Sequence, residues 1–537
     1  MEFSTLNGYK VKDKKAVRFY DTVSLMKADT TLKEGMSIKT KGYLTANDGG
    51  GAEYIVREVT QNDIITEGYL IALNNNQLVA ELIIKNSVNI MTFYGVTNEI
   101  TINGVNYRIW NDAFNDAFNT VSGKAKIIVP EGTFYLNDTL VLPYNGTIEG
   151  INQETSILKL VPFANCDMFH VGTIGSRDSG KLINLNLQGD FIQSYDNNHT
   201  TQSTTGNGIV FVQNSMDSDG NVIQNCYIRN FAENGVVVNS GVFVVLIENC
   251  QICFNRYNGI YNNGTDNFFN NLRIYFNGLS GLKNYMCGAN KFSNMKIYYN
   301  CAIDDLSTDN DDYNATQKSR NAGLIERGCS RNEYNNIELQ DNYYTGATFY
   351  TTDGLIFSGT FDDNGFKGQT TQSLSDELYL GGCKNLNINA MFGRDDLGYV
   401  AHMIETLNTT DTLVLYTRAM ESQTGDPNVS GDLIYKTGTQ TNLVVAPSYN
   451  DICGKIYTQA VTLTFPATSI NATSQTVALD FTPSGKNIAF VNLYTSYNII
   501  AFANISGSNA YINARASNPL SNDTSTNISG NLVIINI

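Results

Sequence analysis

Three carboxylates recur close together in a periodic stretch of this chain: Glu338 and Asp341 in NIELQDN, and Asp362 in GTFDD, with Asp363 beside it. Hydrolysis of a glycosidic bond needs two carboxyl groups about 5–9.5 Å apart, one to give a proton and one to act as base or nucleophile. Lys296 stands one repeat before Glu338, so a plain salt bridge competes with catalysis for that residue. Upstream lie Arg229, Arg256, Tyr257, Arg273, Tyr275, Lys296 and Tyr298, with Glu233 among them as a fourth candidate catalytic carboxylate. Aromatic faces stack on sugar rings, and charged side chains bind hydroxyls, so this set is a candidate saccharide-binding surface. Asp304, Asp305 and Asp309 crowd one segment, where they can hold a divalent cation or form a solvated acidic loop. No other metal pattern is present. Cys250 and Cys253 form a C-x-x-C without a second pair, His199 stands alone in a loop, and His170 and His402 belong to no motif.

What must position these residues is a repeat. Asn-x-x-apolar tetrads lead at 225, 249, 271, 294 and 336, with a Ser variant at 358. Their spacings are 24, 22, 23, 42 and 22, so one interval carries an insertion of about one loop. Glycines seven residues after most apolar anchors, at 235, 259, 281, 323, 346 and 368, place the insertion in the same repeat. A period of 22–24 residues with short β-branched runs predicts an all-β chain whose centre is a parallel β-helix. The leading Asn is expected to stack into an amide ladder, and the Gly to occupy a positive-φ turn. The leucine-rich pattern that a horseshoe of similar period requires is absent.

Alternation along each strand sends the residues flanking the anchors outward. They form one column of Tyr227, Gln251, Arg273, Lys296 and Glu338, and another of Arg229, Cys253, Tyr275, Tyr298, Gln340 and Asp362. Insertions 188–207 and 298–322 fall in the same part of their coils. They are expected to wall a groove floored by Arg229, Glu233, Arg256, Tyr257, Arg273 and Tyr275.

Two segments carry a family resemblance. Ile109–Leu160 resembles the opening of the pectate-lyase-like superfamily, which includes many phage tailspikes and depolymerases. It has a short helix, then strands and capping coils with Val129, Pro130, Gly132, Phe134 and Gly150 at the matching positions. GYLTANDGGGAEYIV, at 42–56, resembles a segment that precedes such helices in tail proteins. The resemblance implies a right-handed β-helix at 106–444 behind a capping helix, and an N-terminal head at 1–105 that attaches to other virion tail proteins. The alternating strands after 445 read as a C-terminal β-sandwich for trimerisation or sugar binding. It further implies a homotrimer made in the host cytoplasm and carried on the virion tail. There it would bind, and by hydrolase or lyase chemistry shorten, a bacterial capsule or cell-wall polysaccharide. A binding-only spike fits the same residues.

Bulk properties agree. The net charge of −16 disfavours nucleic acid and anionic membrane as partners. No apolar run reaches the ~18 residues of a membrane span, and the N-terminal residues show no apolar signal segment. Nine scattered cysteines suit buried thiols in a reducing compartment better than a disulfide framework.

Overall fold

The structure is a computed structural model. It describes residues 5–6, 9–10, 17–73, 77–172, 179–193, 199–200, 202–212, 220–302, 321–366, 375–393, 399–418, 434–447, 456–465, 472–478, 487–493, 499–506, 509–516 and 526–536. The chain divides into two units, one of Met1–Val414 with Ala419–Val444, the other of Leu415–Arg418 with Val445–Ile537.

The larger unit is a parallel β-helix. Each coil contributes one strand to each of three faces. Face 1 runs through Lys126–Val129, Asn221–Gln224 and Val245–Glu248. Face 2 runs through Tyr227–Arg229, Gln251–Cys253 and Arg273–Tyr275. Face 3 is an eleven-stranded sheet from Leu140–Leu142 to Ile434–Thr437. From Lys291–Tyr298 onward a single strand serves both face 1 and face 2.

The apolar anchors stack as expected. Leu187, Ile228, Ile252, Ile274, Ile297, Leu339 and Phe361 are in register from coil to coil, and each is fully buried. Burying each such side chain contributes roughly 1.5–3 kcal/mol. A stack of rings fills the core beneath face 1, with Phe269 on Phe292 at 4.7 Å and Phe292 on Tyr334 at 4.5 Å between centroids.

The turns correct part of the sequence reading. The leading Asn residues themselves take the left-handed conformation, with φ of 53° at Asn225 and 55° at Asn249, and bend the chain from face 1 to face 2. Their amides bond in pairs rather than in one continuous ladder: Asn225 Nδ2 donates to Asn184 Oδ1 at 3.0 Å, Asn271 to Asn249 at 2.7 Å and Asn336 to Asn294 at 3.0 Å, while Asn294 Nδ2 donates to Asn270 Oδ1 at 3.1 Å. The repeated glycines, by contrast, do not need positive φ; they are there for space. A Cβ on Gly281 would meet Ile297 Cγ2 at 2.6 Å, and one on Gly323 would meet Asn342 Cγ at 2.5 Å. Gly368 lies outside the described residues. Ala347 pairs with Leu378, so Glu377 follows Gly346 in that column, and the coil of Phe361 carries a third insertion.

A buried ladder crosses the turn between faces 2 and 3. Asn255, Asn277, Asn300, Asn342 and Asn364 are each fully buried. The backbone N–H and Nδ2 of each donate to Oδ1 of the next, at 3.2 and 3.0 Å from Asn255 to Asn277. The series ends where Asn364 donates to both carboxylate oxygens of Glu377, at 3.1 and 2.6 Å.

At the N-terminal end the helix Asn111–Val121 buries Phe114, Ala117, Phe118 and Val121, as a cap on an open core should. Strand pairing also crosses the expected boundary at 105/106. Ser87–Asn89 already pairs in parallel with the strand Lys126–Val129, and Val105–Ile109 forms a hairpin with Asn98–Ile102. Before it, five strands between Val17 and Leu82 make a mixed sheet. The glycine-rich segment at 42–56 enters this sheet through a tight turn, in which the Asp48 carboxylate accepts the N–H groups of Tyr43, Leu44, Thr45 and Gly50.

In the smaller unit six antiparallel strands between Ile456 and Asn536 form one sheet. The second, facing sheet that a sandwich requires is not among its described strands. The C-x-x-C cysteines are free and buried.

Candidate active site on face 2

Register places both predicted columns on face 2. Tyr227, Gln251, Arg273, Lys296 and Glu338 pair in sequence, as do Arg229, Cys253, Tyr275, Tyr298, Gln340 and Asp362. Neighbouring coils are about 4.8 Å apart, so the strip from Arg229 to Asp362 is five steps, or about 24 Å, long.

At its far end the carboxylates gather. The Asp341 N–H donates to the Asp362 carbonyl at 3.0 Å, which sets the two residues side by side on adjacent coils. Glu338 is one coil and two residues from Asp362, a Cα separation of about 8 Å. Burial and then the charges of Asp363, Asp341 and Glu338 push Asp362 up to about 6, against the opposing pull of Lys296. Asp341 is also raised, first by burial, although a hydrogen bond from Tyr299 opposes this. Glu338 accepts from Lys296 Nζ at 2.8 Å, the salt bridge expected as the competing role. Gly393 keeps this corner open, because a Cβ there would lie 2.0 Å from Asp362 Oδ1.

The strip leading to the acids is aromatic and cationic. Tyr275 and Tyr298 are stacked at 5.0 Å, and Lys296 Nζ lies 5.4 Å from the centre of the Tyr298 ring. The Tyr275 hydroxyl donates to Gln251 Oε1 at 3.2 Å and touches the Tyr227 hydroxyl. The Arg229 guanidinium covers the Tyr227 ring at 4.5 Å, and its buried Nε has no hydrogen-bond partner among the described residues. Arg273 is exposed between Gln251 and Lys296.

The remaining predicted residues sit elsewhere. Glu233, Arg256 and Tyr257 belong to the turn toward face 3, where the Tyr257 N–H donates to the Glu233 carbonyl at 3.0 Å. Glu233 Oε2 accepts from Gly206 N and Asn207 Nδ2, and four coils, about 19 Å, separate its coil from that of Asp341. The structure therefore does not bring Glu233 to the other three acids. Asp304, Asp305 and Asp309 lie outside the described residues, and so does most of the wall 298–322. The wall 188–207 carries a short antiparallel pair, Ile192–Gln193 with His199–Thr200.

Two features escaped the sequence reading. Phe254, Phe276 and Tyr299 occupy the position two after the anchor, at φ of 55°, 51° and 53°, and Asp341 and Asp363 continue the column. Phe254 stacks on Phe276 at 5.3 Å and Phe276 on Tyr299 at 4.9 Å. Left-handed backbone is costly for bulky side chains, yet here it aims an aromatic column at the acids. The spacing from the anchors was the available signal. The other feature is a hollow of about 280 Å³ at the opposite end of face 2, lined by Tyr107, Tyr135, Lys159, Gln188, Asp190 and Asn230 among others.

No protein-family model and no curated protein matches the sequence. Solved structures do. Full-length tailspike protein 2 of an Escherichia coli O157:H7 bacteriophage matches at 14% identity and a TM-score of 0.58, over 95% of this chain and 73% of that one. The enzymatically active domain of bacteriophage CBA120 tailspike protein 2 matches at 13% and 0.58, over 96% of this chain and 84% of that one. This chain shares the tailspike fold. A third tailspike, from Acinetobacter baumannii bacteriophage Fri1 and described as a capsular polysaccharide depolymerase, matches at 11% identity and a TM-score of 0.50, over 97% of this chain and 98% of that one.

Proposed function

We propose that this tailspike-like chain is a phage tail protein that binds a bacterial surface polysaccharide along face 2 and cleaves it at the carboxylates. The observation that carries the reading is the convergence of Asp341, Asp362 and Glu338 at one end of an aromatic and cationic strip, with Asp362 pushed up to about 6. A carboxyl group that keeps its proton up to about pH 6 is suited to give it to the leaving oxygen. Asp341 or Glu338 then serves as base or nucleophile, and water completes the hydrolysis. Tyr275, Tyr298 and the column Phe254–Phe276–Tyr299, stacked on one another, offer ring edges to the sugars, while Arg229, Arg273 and Lys296 offer donors to their hydroxyls. Residence on the virion tail belongs to the same proposal, supported by the fold shared with phage tailspikes; attachment to other tail proteins through the N-terminal sheet, homotrimer assembly and synthesis in the host cytoplasm complete it.

The experiment is incubation of the full chain with capsular or cell-wall polysaccharide, followed by chain-length analysis. Shortening is expected. Binding without shortening would leave the binding-only reading, which the Lys296–Glu338 ion pair favours.

A further inference from the structure

We propose that Asp376, His402 and Glu405 form a divalent-cation site on face 3, separate from the carboxylates of face 2. The three ligand atoms lie within 4.8 Å of one another. His402 Nδ1 is 3.0 Å from Asp376 Oδ1 and 3.3 Å from Glu405 Oε2. One ring N–H cannot aim well at two carboxylates, whereas one cation can. Metal–ligand bonds of about 2.0–2.2 Å place cis donors about 3.0 Å apart in an octahedron and about 3.4 Å apart in a tetrahedron. Both observed edges fall in this range, and the third, between the carboxylates, lies within 4.8 Å.

The surroundings are those of a built site. The Asp376 side chain is 3% exposed, Glu405 10% and His402 16%. The imidazole is stacked on Tyr435 at 4.6 Å, with 9° between planes, which fixes the ring. Asp376 and His402 are register partners on adjacent coils, and Asp376 N is held by Thr345 Oγ1 at 3.1 Å. Here the buried amide ladder has just ended at Glu377. The ion would link the coils of Asp376 and His402 where Asn rungs no longer do. One imidazole and two carboxylates favour borderline zinc first, and manganese after it, over calcium.

The test uses the full chain after chelator treatment and dialysis. Zn²⁺, Mn²⁺ and Ca²⁺, each alone, are titrated by calorimetry, and melting is followed with metal and with chelator. One equivalent is expected to bind and raise the melting temperature, with affinity at least about tenfold weaker in His402→Gln and in the near-isosteric Asp376→Asn. Two variants guard against a folding defect in either. Absence of saturable binding, binding unchanged in both variants, or a response to Ca²⁺ only would each overturn the site and leave an ion-paired histidine. Polysaccharide cleavage need not change, so this result is independent of the proposed activity.

Discussion

At the residue scale, Asp362 carries the sharpest expectations. Its folded pKa, about 6, lies above the ordinary 3.8, so the folded protein holds this proton more tightly than the unfolded chain does. That contribution to stability is full below the unfolded value and is lost as pH rises through 6. Asp362→Asn should therefore flatten the fall in stability between pH 4 and 6 in denaturant titrations, and should be no less stable than the parent at pH 7. The same variant should lose about 10²–10⁴-fold in cleavage rate while still binding polysaccharide. Full activity in Asp362→Asn would remove it from the acid role. Parent activity should fall above pH 6 as the proton leaves. Glu326 offers a control away from face 2. Wholly buried, it is pushed up to about 7 by that burial, while Tyr334 donates to it at 2.5 Å. Glu326→Gln should remove a loss of stability between about pH 4.5 and 7, leaving cleavage unchanged.

At the element scale, the buried ladder holds the coils in place. Asn300 satisfies the N–H of Asn277 and itself donates to Asn342. Asn300→Ala strands the buried Asn277 N–H and should cost about 1–3 kcal/mol or more in chemical unfolding. Gly281→Ala drives a methyl group against Ile297 and should cost about 1–3 kcal/mol. A change within ~0.5 kcal/mol in either would mean that the turn relaxes freely. The period and the outward columns were legible because anchors and flanking residues alternate in a strict two-residue pattern. Glu377 was not, since the insertion after Phe361 hides it from any fixed period. Nor was the triad of Asp376, His402 and Glu405, which only coil register brings together. Phe254, Phe276 and Tyr299 were overlooked because left-handed turns are expected to carry Asn or Gly.

At the scale of the whole molecule, face 2 is a track rather than a pocket. Oligosaccharides long enough to span about 24 Å should bind more tightly than shorter ones in calorimetric titrations. Removing the stacked rings in Tyr275→Ala and Tyr298→Ala should weaken binding by about 0.5–1.5 kcal/mol each. Affinity independent of length would argue for a single local subsite. The length of this track was readable from the sequence, but its chemical asymmetry, with acids at one end and a hollow beside Lys159 at the other, emerged only from the register.

The rungs at Asn255, Asn277 and Asn300 are nearly interchangeable, each offering the same donors to the same acceptor one coil on. During folding, a coil docked one repeat out of place would find almost the same partners, a source of kinetic traps in repeating architectures. The unequal intervals break this degeneracy. A slip past the interval from Asn300 to Asn342, 42 residues instead of 22 or 23, strands a loop's worth of chain, and a slip past Asn364 brings Asn where Glu377 belongs. The insertions thus number the coils, so that the chain can find its place.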